Sequence, residues 1–232
     1  MMWLEFLFDR IGGPELFQAA FGGEKDAWSH PDAIRALKTA QELVGANAFG
    51  KGFSSVTADS NADQALLYND QAAMMLHGSW SYGIQQSDGG DFVSSGALGY
   101  MNFPPFEKGK GDPSNSVGNP GQYLSISSKA SAEQKEVARK FFATGVLGDQ
   151  EVKEWVRSGA VPILNGMQDK LTTDFVSFVY RTATSAKVFA QSWDQALDPT
   201  AAEILLDNIS KLFLLASTPD EFAEALNAAT NR

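Results

Sequence analysis

Cysteine is absent from this 232-residue chain, and histidine occurs only twice. Basic residues are in deficit, with 18 Lys plus Arg against 28 Asp plus Glu and a formal net charge of −10. Without cysteine there are no disulfides, thiolate zinc sites or thiol nucleophiles in these residues, although the compartment stays open. His30 and His77 lie far apart and outside any metal-ligand spacing, so both read as ordinary polar residues. An acidic chain with no basic cluster argues against nucleic acid and against anionic membrane surfaces. No apolar run approaches the ~18–20 residues of a membrane span. The first residues carry no basic-then-apolar export signal. Internal repeats and low-complexity tracts are also missing.

What is present suits a globular protein: 44% apolar and 20% charged residues, in a length that allows one large domain or two small ones. The chain opens directly on an apolar helical stripe, Trp3, Leu4, Leu7 and Phe8, stopped by Gly12-Gly13-Pro14. Because a domain rarely begins inside a helix, the chain is expected to be the C-terminal portion of a longer one. "SHPDAIRALKTAQELVGAN" predicts a helix with Pro31 in its first turn and Ile34, Leu37 and Val44 inward. A helix is expected from Asn61 to Tyr68, and another after Trp80. Ser131 with Gln134, and Thr218 with Glu221, form two capping boxes ahead of helices. The first of these helices should turn Val137, Ala138, Phe141 and Phe142 to a core, and the second Phe222, Leu226 and Ala229. Strands are expected at Ala72–Leu76, in "GALGYMNFPPF" and in "QYLSISSKA", with a long polar loop between the last two. The pattern is helix-rich α/β, with too few strands for a good sheet.

Catalytic signals are weak. There is no Gly-x-Ser-x-Gly, no phosphate-cradling loop and no nucleophile with a local base. Asp59-Ser60-Asn61-Ala62-Asp63 copies the opening ligands of a calcium loop, but Gln64 and Asp70 occupy positions that need Gly and Glu. The aromatics say more. Trp80 and Trp193 sit beside Gly78-Ser79 and Ser192-Asp194 rather than within apolar periodicity. An indole face beside hydrogen-bonding groups suits a sugar ring, whose C–H face packs on the aromatic while its hydroxyl rim finds polar partners. Chemistry alone leaves each Trp open between core and platform. Trp3, Trp28 and Trp155, in helical contexts, read as core.

Tyr68-Asn69-Asp70-Gln71-Ala72-Ala73-Met74, followed by Gly78-Ser79-Trp80, resembles a signature of bacterial extracellular solute-binding proteins, with Tyr68 in place of Phe and Asp70 in place of Gly. The resemblance is to the sugar-binding group that serves ABC importers, of the maltose-binding-protein type. Further pieces follow in the family's order. "LGYMNFPPF" resembles a strand entering an interlobe crossing, and "VGNPGQYLSISSKASAEQKEVARKFF" the return into the other lobe. "SGAVPILNG" is similar to the crossing back, and "STPDEFAEALNAA" to the last helix.

The resemblance implies a periplasmic-binding-protein-like (type II) two-lobe α/β fold, truncated to a helix-rich C-terminal lobe. Residues 1–105 and 166–232 would form that lobe. Residues 106–165 would carry the interlobe crossing and a remnant of the first lobe. It further implies hinge closure on a mono- or oligosaccharide, membrane subunits of an importer as partners, and an extracytoplasmic, lipid-anchored or periplasmic location. No catalysis, metal, cofactor or nucleic acid is implied. Trp80 would stack on the ring, Asn119 and Gln122 would line the cleft, and Trp193 with Asp194 would add a second aromatic and a polar partner. Leu124, Ile126, Phe141 and Phe142 would form an exposed apolar patch or a self-association surface. Rival readings are a binding protein for a non-sugar solute and a glycoside-processing enzyme fragment. The latter needs two carboxylates across a cleft.

Overall fold

The computed structural model describes residues 1–119, 123–146, 148–161 and 164–230. Its main body is built from helices at the two ends of the chain. α1 (Met2–Gly12), α2 (Pro14–Gly22) and α3 (Pro31–Gly45) come from the first segment. α9 (Trp193–Ala196), α10 (Pro199–Phe213) and α11 (Pro219–Thr230) come from the last. Each long helix starts where its sequence dictates. Pro31 opens α3, and the Asp32 N–H donates to His30 Nδ1 at 3.1 Å, so His30 caps this helix. Asp198 caps α10 by accepting from the N–H groups of Thr200 and Ala201. Thr218 and Glu221 complete their reciprocal capping box ahead of α11. Those bonds to Thr218 hold the Glu221 carboxyl below its usual range.

The body closes around aromatic rings. Phe8, Trp28, Trp193, Phe17 and Phe222 are buried together. Phe17 stacks on Trp193, while Phe8 and Trp28 meet that indole edge-on. On α3 the inner face is Ala33, Ala36, Leu37 and Ala40, with Ile34 and Val44 only half-buried. Alanine on this face lets α1 and α3 pack closely. Trp28 is core as expected, and Trp3 and Trp155 are half-buried.

A smaller cluster lies in the middle of the chain. Val152 and Val156 of α7 (Asp149–Arg157) pack with Met167 and with Tyr180 of α8 (Asp174–Ser185). α4 (Ala62–Tyr68) packs on α5 (Ser81–Asp88), and Tyr82 of α5 stacks on Phe175 of α8, with ring centroids 4.3 Å apart.

The loop from Phe103 to Asn115 is strapped to the end of α1. Arg10 is fully buried, pairs with Asp9, and donates to the carbonyls of Phe103, Pro113 and Asn115. Asn115 Nδ2 donates in turn to Asp9 Oδ1 at 2.9 Å. Burial still raises the Asp9 carboxyl above its usual range, against these bonds. Gly109 and Gly111 are required here, because a Cβ at either would sit 2.1 or 2.0 Å from the carbonyl oxygens of Arg10 and Asp9. Past the strap, β1 (Ser116–Val117) pairs in parallel with β2 (Phe189–Ala190), Ser116 opposite Phe189.

The strand expectations are revised. Ala72–Leu76, the 96–106 stretch and the described part of 122–130 join no sheet among the described residues, whereas β1 forms inside the expected polar loop. A strand needs a hydrogen-bonded neighbour as well as an apolar composition, and β1 has one in β2. α6 (Ala132–Thr144) begins on its expected capping box, Ser131 with Gln134, yet buries none of its residues. Val137 is 63% exposed and Phe141 58%, and Phe142 is half-buried, so this face has no core against it among the described residues.

Candidate functional site

Two local constructions hold the residues singled out by sequence. The first is the Trp80 turn. The chain leaves Leu76, passes His77 and Gly78, and enters α5 at Ser81. Ser79 does not cap the helix through its hydroxyl. Trp80 is the N-cap residue, and the Ser79 carbonyl accepts from the Tyr82 N–H at 3.3 Å. Gly78 has a steric purpose: a Cβ there would fall 2.0 Å from the Trp80 ring. The indole folds back over this glycine, meets the His77 ring edge-on at 5.4 Å, and remains 64% exposed. The turn therefore presents an aromatic face to solvent.

Behind the indole the packing is polar. His77 Nε2 lies 3.2 Å from Asp63 Oδ2 in the first turn of α4, so the expected calcium-like stretch ends on a histidine partner. Gln64 and Gln85, both buried, bridge α4 to α5 through Gln85 Nε2 donating to the Gln64 carbonyl at 3.4 Å. No group of three or more His, Cys, Asp or Glu side chains suited to a metal ion occurs among the described residues.

The second construction joins the two ends of the chain. Glu5 of α1 is fully buried, and its Oε1 accepts from Ser192 Oγ at 2.6 Å and from the Trp193 N–H at 2.8 Å. Asn119 Oδ1 accepts from the Ser192 N–H at 3.2 Å. Asn119, Trp193 and Asp194 are thereby brought together around Ser192. Glu5 Oε2 and Asp194 Oδ1 are buried with no hydrogen-bond partner among the described residues. Burial raises the Glu5 carboxyl above its usual range, opposed by the Ser192 and Trp193 hydrogen bonds.

Trp193 is corrected from platform to core. It is 0% exposed, Phe17 covers one ring face, and its Nε1–H donates to the Phe17 carbonyl at 3.4 Å. The aromatic neighbours responsible lie more than 160 residues away in the chain, out of reach of local pattern reading. Asn119 is exposed and Asp194 half-buried. Gln122 lies outside the described residues. No hydrogen bond or ring contact among the described residues joins Trp80 to the Asn119–Asp194 group. Sequence reasoning missed Glu5, although an acid set between Leu4 and Leu7 in an apolar stripe was a usable signal. It also missed the Asp63–His77 pair.

The chain is similar to two solved structures with this architecture. One comes from work on xylan utilization by the thermophilic bacterium Caldanaerobius polysaccharolyticus, at 25% identity and a TM-score of 0.78 over 99% of this chain. The other is a chitin oligosaccharide binding protein, at 22% identity and a TM-score of 0.78, also over 99% of this chain. The present chain spans 57% and 55% of those two chains. No curated protein matches it. The family model for bacterial extracellular solute-binding proteins matches residues 1–145, which include the Trp80 turn, the Arg10 strap and all of α6, and the chain belongs to that family.

Proposed function

We propose that this chain recognises a carbohydrate, a mono- or oligosaccharide, without transforming it, and that it does so for a bacterial ABC importer. The observation that carries the reading is Trp80, an indole 64% exposed at the entry to a helix and backed by polar side chains, in a solute-binding protein. Such a face packs on the C–H side of a pyranose. The xylan and chitin-oligosaccharide associations of the two similar structures point the same way. Asp194 and Asn119 are the proposed hydroxyl partners, with Trp193 as the buried support beneath them.

In this reading residues 1–105 and 166–232 act as one lobe, and 106–165 carries the crossing to another lobe that closes on the ligand by hinge motion. Importer subunits dock on the protein at the outer face of the membrane, where it is lipid-anchored or periplasmic. The apolar α6 face is the self-association surface. The test is a thermal-shift and calorimetric screen of xylo- and chito-oligosaccharides. A sugar that raises the melting temperature of the wild type, with loss of that shift in Trp80→Ala, is the expected result. A screen in which no sugar moves the melting temperature overturns the reading. Turnover of a chromogenic glycoside would replace it with an enzyme.

A further inference from the structure

We infer that Asp63 and His77 are positioning residues for Trp80. The pair fixes the orientation of the indole before any ligand arrives. The inference rests on the proposed carbohydrate reading for its effect on binding, and on geometry alone for its effect on the indole.

An exposed tryptophan at the start of a short helix ordinarily samples several rotamers, and ordering it on binding costs affinity. Here the ring is walled on two sides. Gly78 supplies one wall, because only a residue without Cβ leaves the space that the indole occupies. The His77 ring supplies the other, edge-on at 5.4 Å with the planes 71° apart. His77 sits on a turn, and what holds its own ring is Asp63, 3.2 Å from Nε2. Asp63 is in turn fixed by its place in α4, which is bound to α5 through Gln64 and Gln85. The contacts run from helix to carboxylate, to imidazole, to indole.

Asp63 Oδ1, Gln64 Oε1, His77 Nδ1 and Gln85 Oε1 are all buried without hydrogen-bond partners among the described residues. Unsatisfied buried polar atoms are destabilising, and apolar side chains of similar shape would fill the same volume without that penalty. A polar pair, Asp63 and His77, behind one exposed aromatic ring fits a binding surface whose shape is held at the expense of stability.

Two readouts test this on the full chain. Acrylamide quenching of tryptophan emission, taken as the difference between each protein and its Trp80→Phe counterpart, isolates the Trp80 signal. His77→Ala is expected to raise the quenching constant of that component about twofold or more. It should also weaken binding of the sugar found in the screen about three- to tenfold, the range for one side chain newly immobilised on binding. His77→Phe keeps the ring wall but loses the hold of Asp63, so it should recover both values in part, to about the level of Asp63→Ala. Asp63→Ala should act in the same direction as His77→Ala but less strongly, and it carries the test if His77→Ala does not fold.

Unchanged Trp80 quenching in His77→Ala overturns the inference. So does an affinity loss of the same size in the Trp80→Phe background, since His77 would then act by another route. If no sugar binds at all, the proposed function fails while the quenching result still decides the positioning role.

Discussion

α6 and α11 start alike and end differently. Both follow a reciprocal capping box, Ser131 with Gln134 and Thr218 with Glu221, and both carry an apolar stripe at helical spacing. α11 buries Phe222, Ala223 and Leu226 against α10, α3 and the turn at Trp28. α6 buries nothing, and Phe141 stands 58% exposed. Capping and periodicity therefore decide that a helix forms and where it begins. Whether its stripe becomes core depends on partners that the helix does not encode.

The comparison breaks most sharply at the buried rings. Phe222→Ala should cost about 3–5 kcal/mol in denaturant unfolding, whereas Phe141→Ala should stay within about 0.5 kcal/mol. Equal losses would mean that the α6 stripe is covered in solution. Next comes the strap on α1. Arg10→Met strands Asp9 and three carbonyls, and is expected to cost about 3 kcal/mol, measured in the same way.

Glu5 gives a smaller, pH-dependent effect. Burial raises its native pKa, so its protonated form favours the fold. That contribution is fully present below the usual carboxylate range and is lost as pH rises through the raised native value. Glu5→Gln keeps an acceptor for Ser192 and Trp193 without the charge. The stability difference, variant minus wild type, should therefore grow with pH between 4 and 8 and reach about 1 kcal/mol or more at neutrality. Taking the difference cancels the carboxylates that run the other way, Asp112 and Glu221, both held below their usual range by hydrogen bonds.

The smallest effects are at the caps. Thr218→Ala should lower global stability by about 1 kcal/mol, while Ser131→Ala should fray α6 in circular dichroism with no shift of the main transition.

Helices were the legible part of this fold. Pro31, Ser131 and Thr218 mark their helix starts within the four or five residues around them, and the structure follows each mark. Strands were not legible, because Ala72–Leu76 and 123–128 are apolar or alternating while pairing depends on a neighbour remote in sequence. The same distance explains the site. Gly78 and Trp80 stand together in the sequence, and a turn could be read there, but the local residues left the indole open between core and platform and only the family resemblance placed it at a surface. Trp193 has polar neighbours in sequence and aromatic neighbours in space, so its local context misled.

The hydrogen bond from Ser192 Oγ to Glu5 closes a loop of 187 residues. On a ribosome α1 emerges well before α9, but the groups that satisfy its buried carboxylate, and the Trp193 ring against Phe8, are made only when the segment from Ser192 onward appears. Until then the helix is an apolar ligand in search of a receptor. Folding of this body is thus tied to synthesis of the segment from Ser192 onward, and a chain stalled before Ser192 should behave as a chaperone client rather than as a partly native protein.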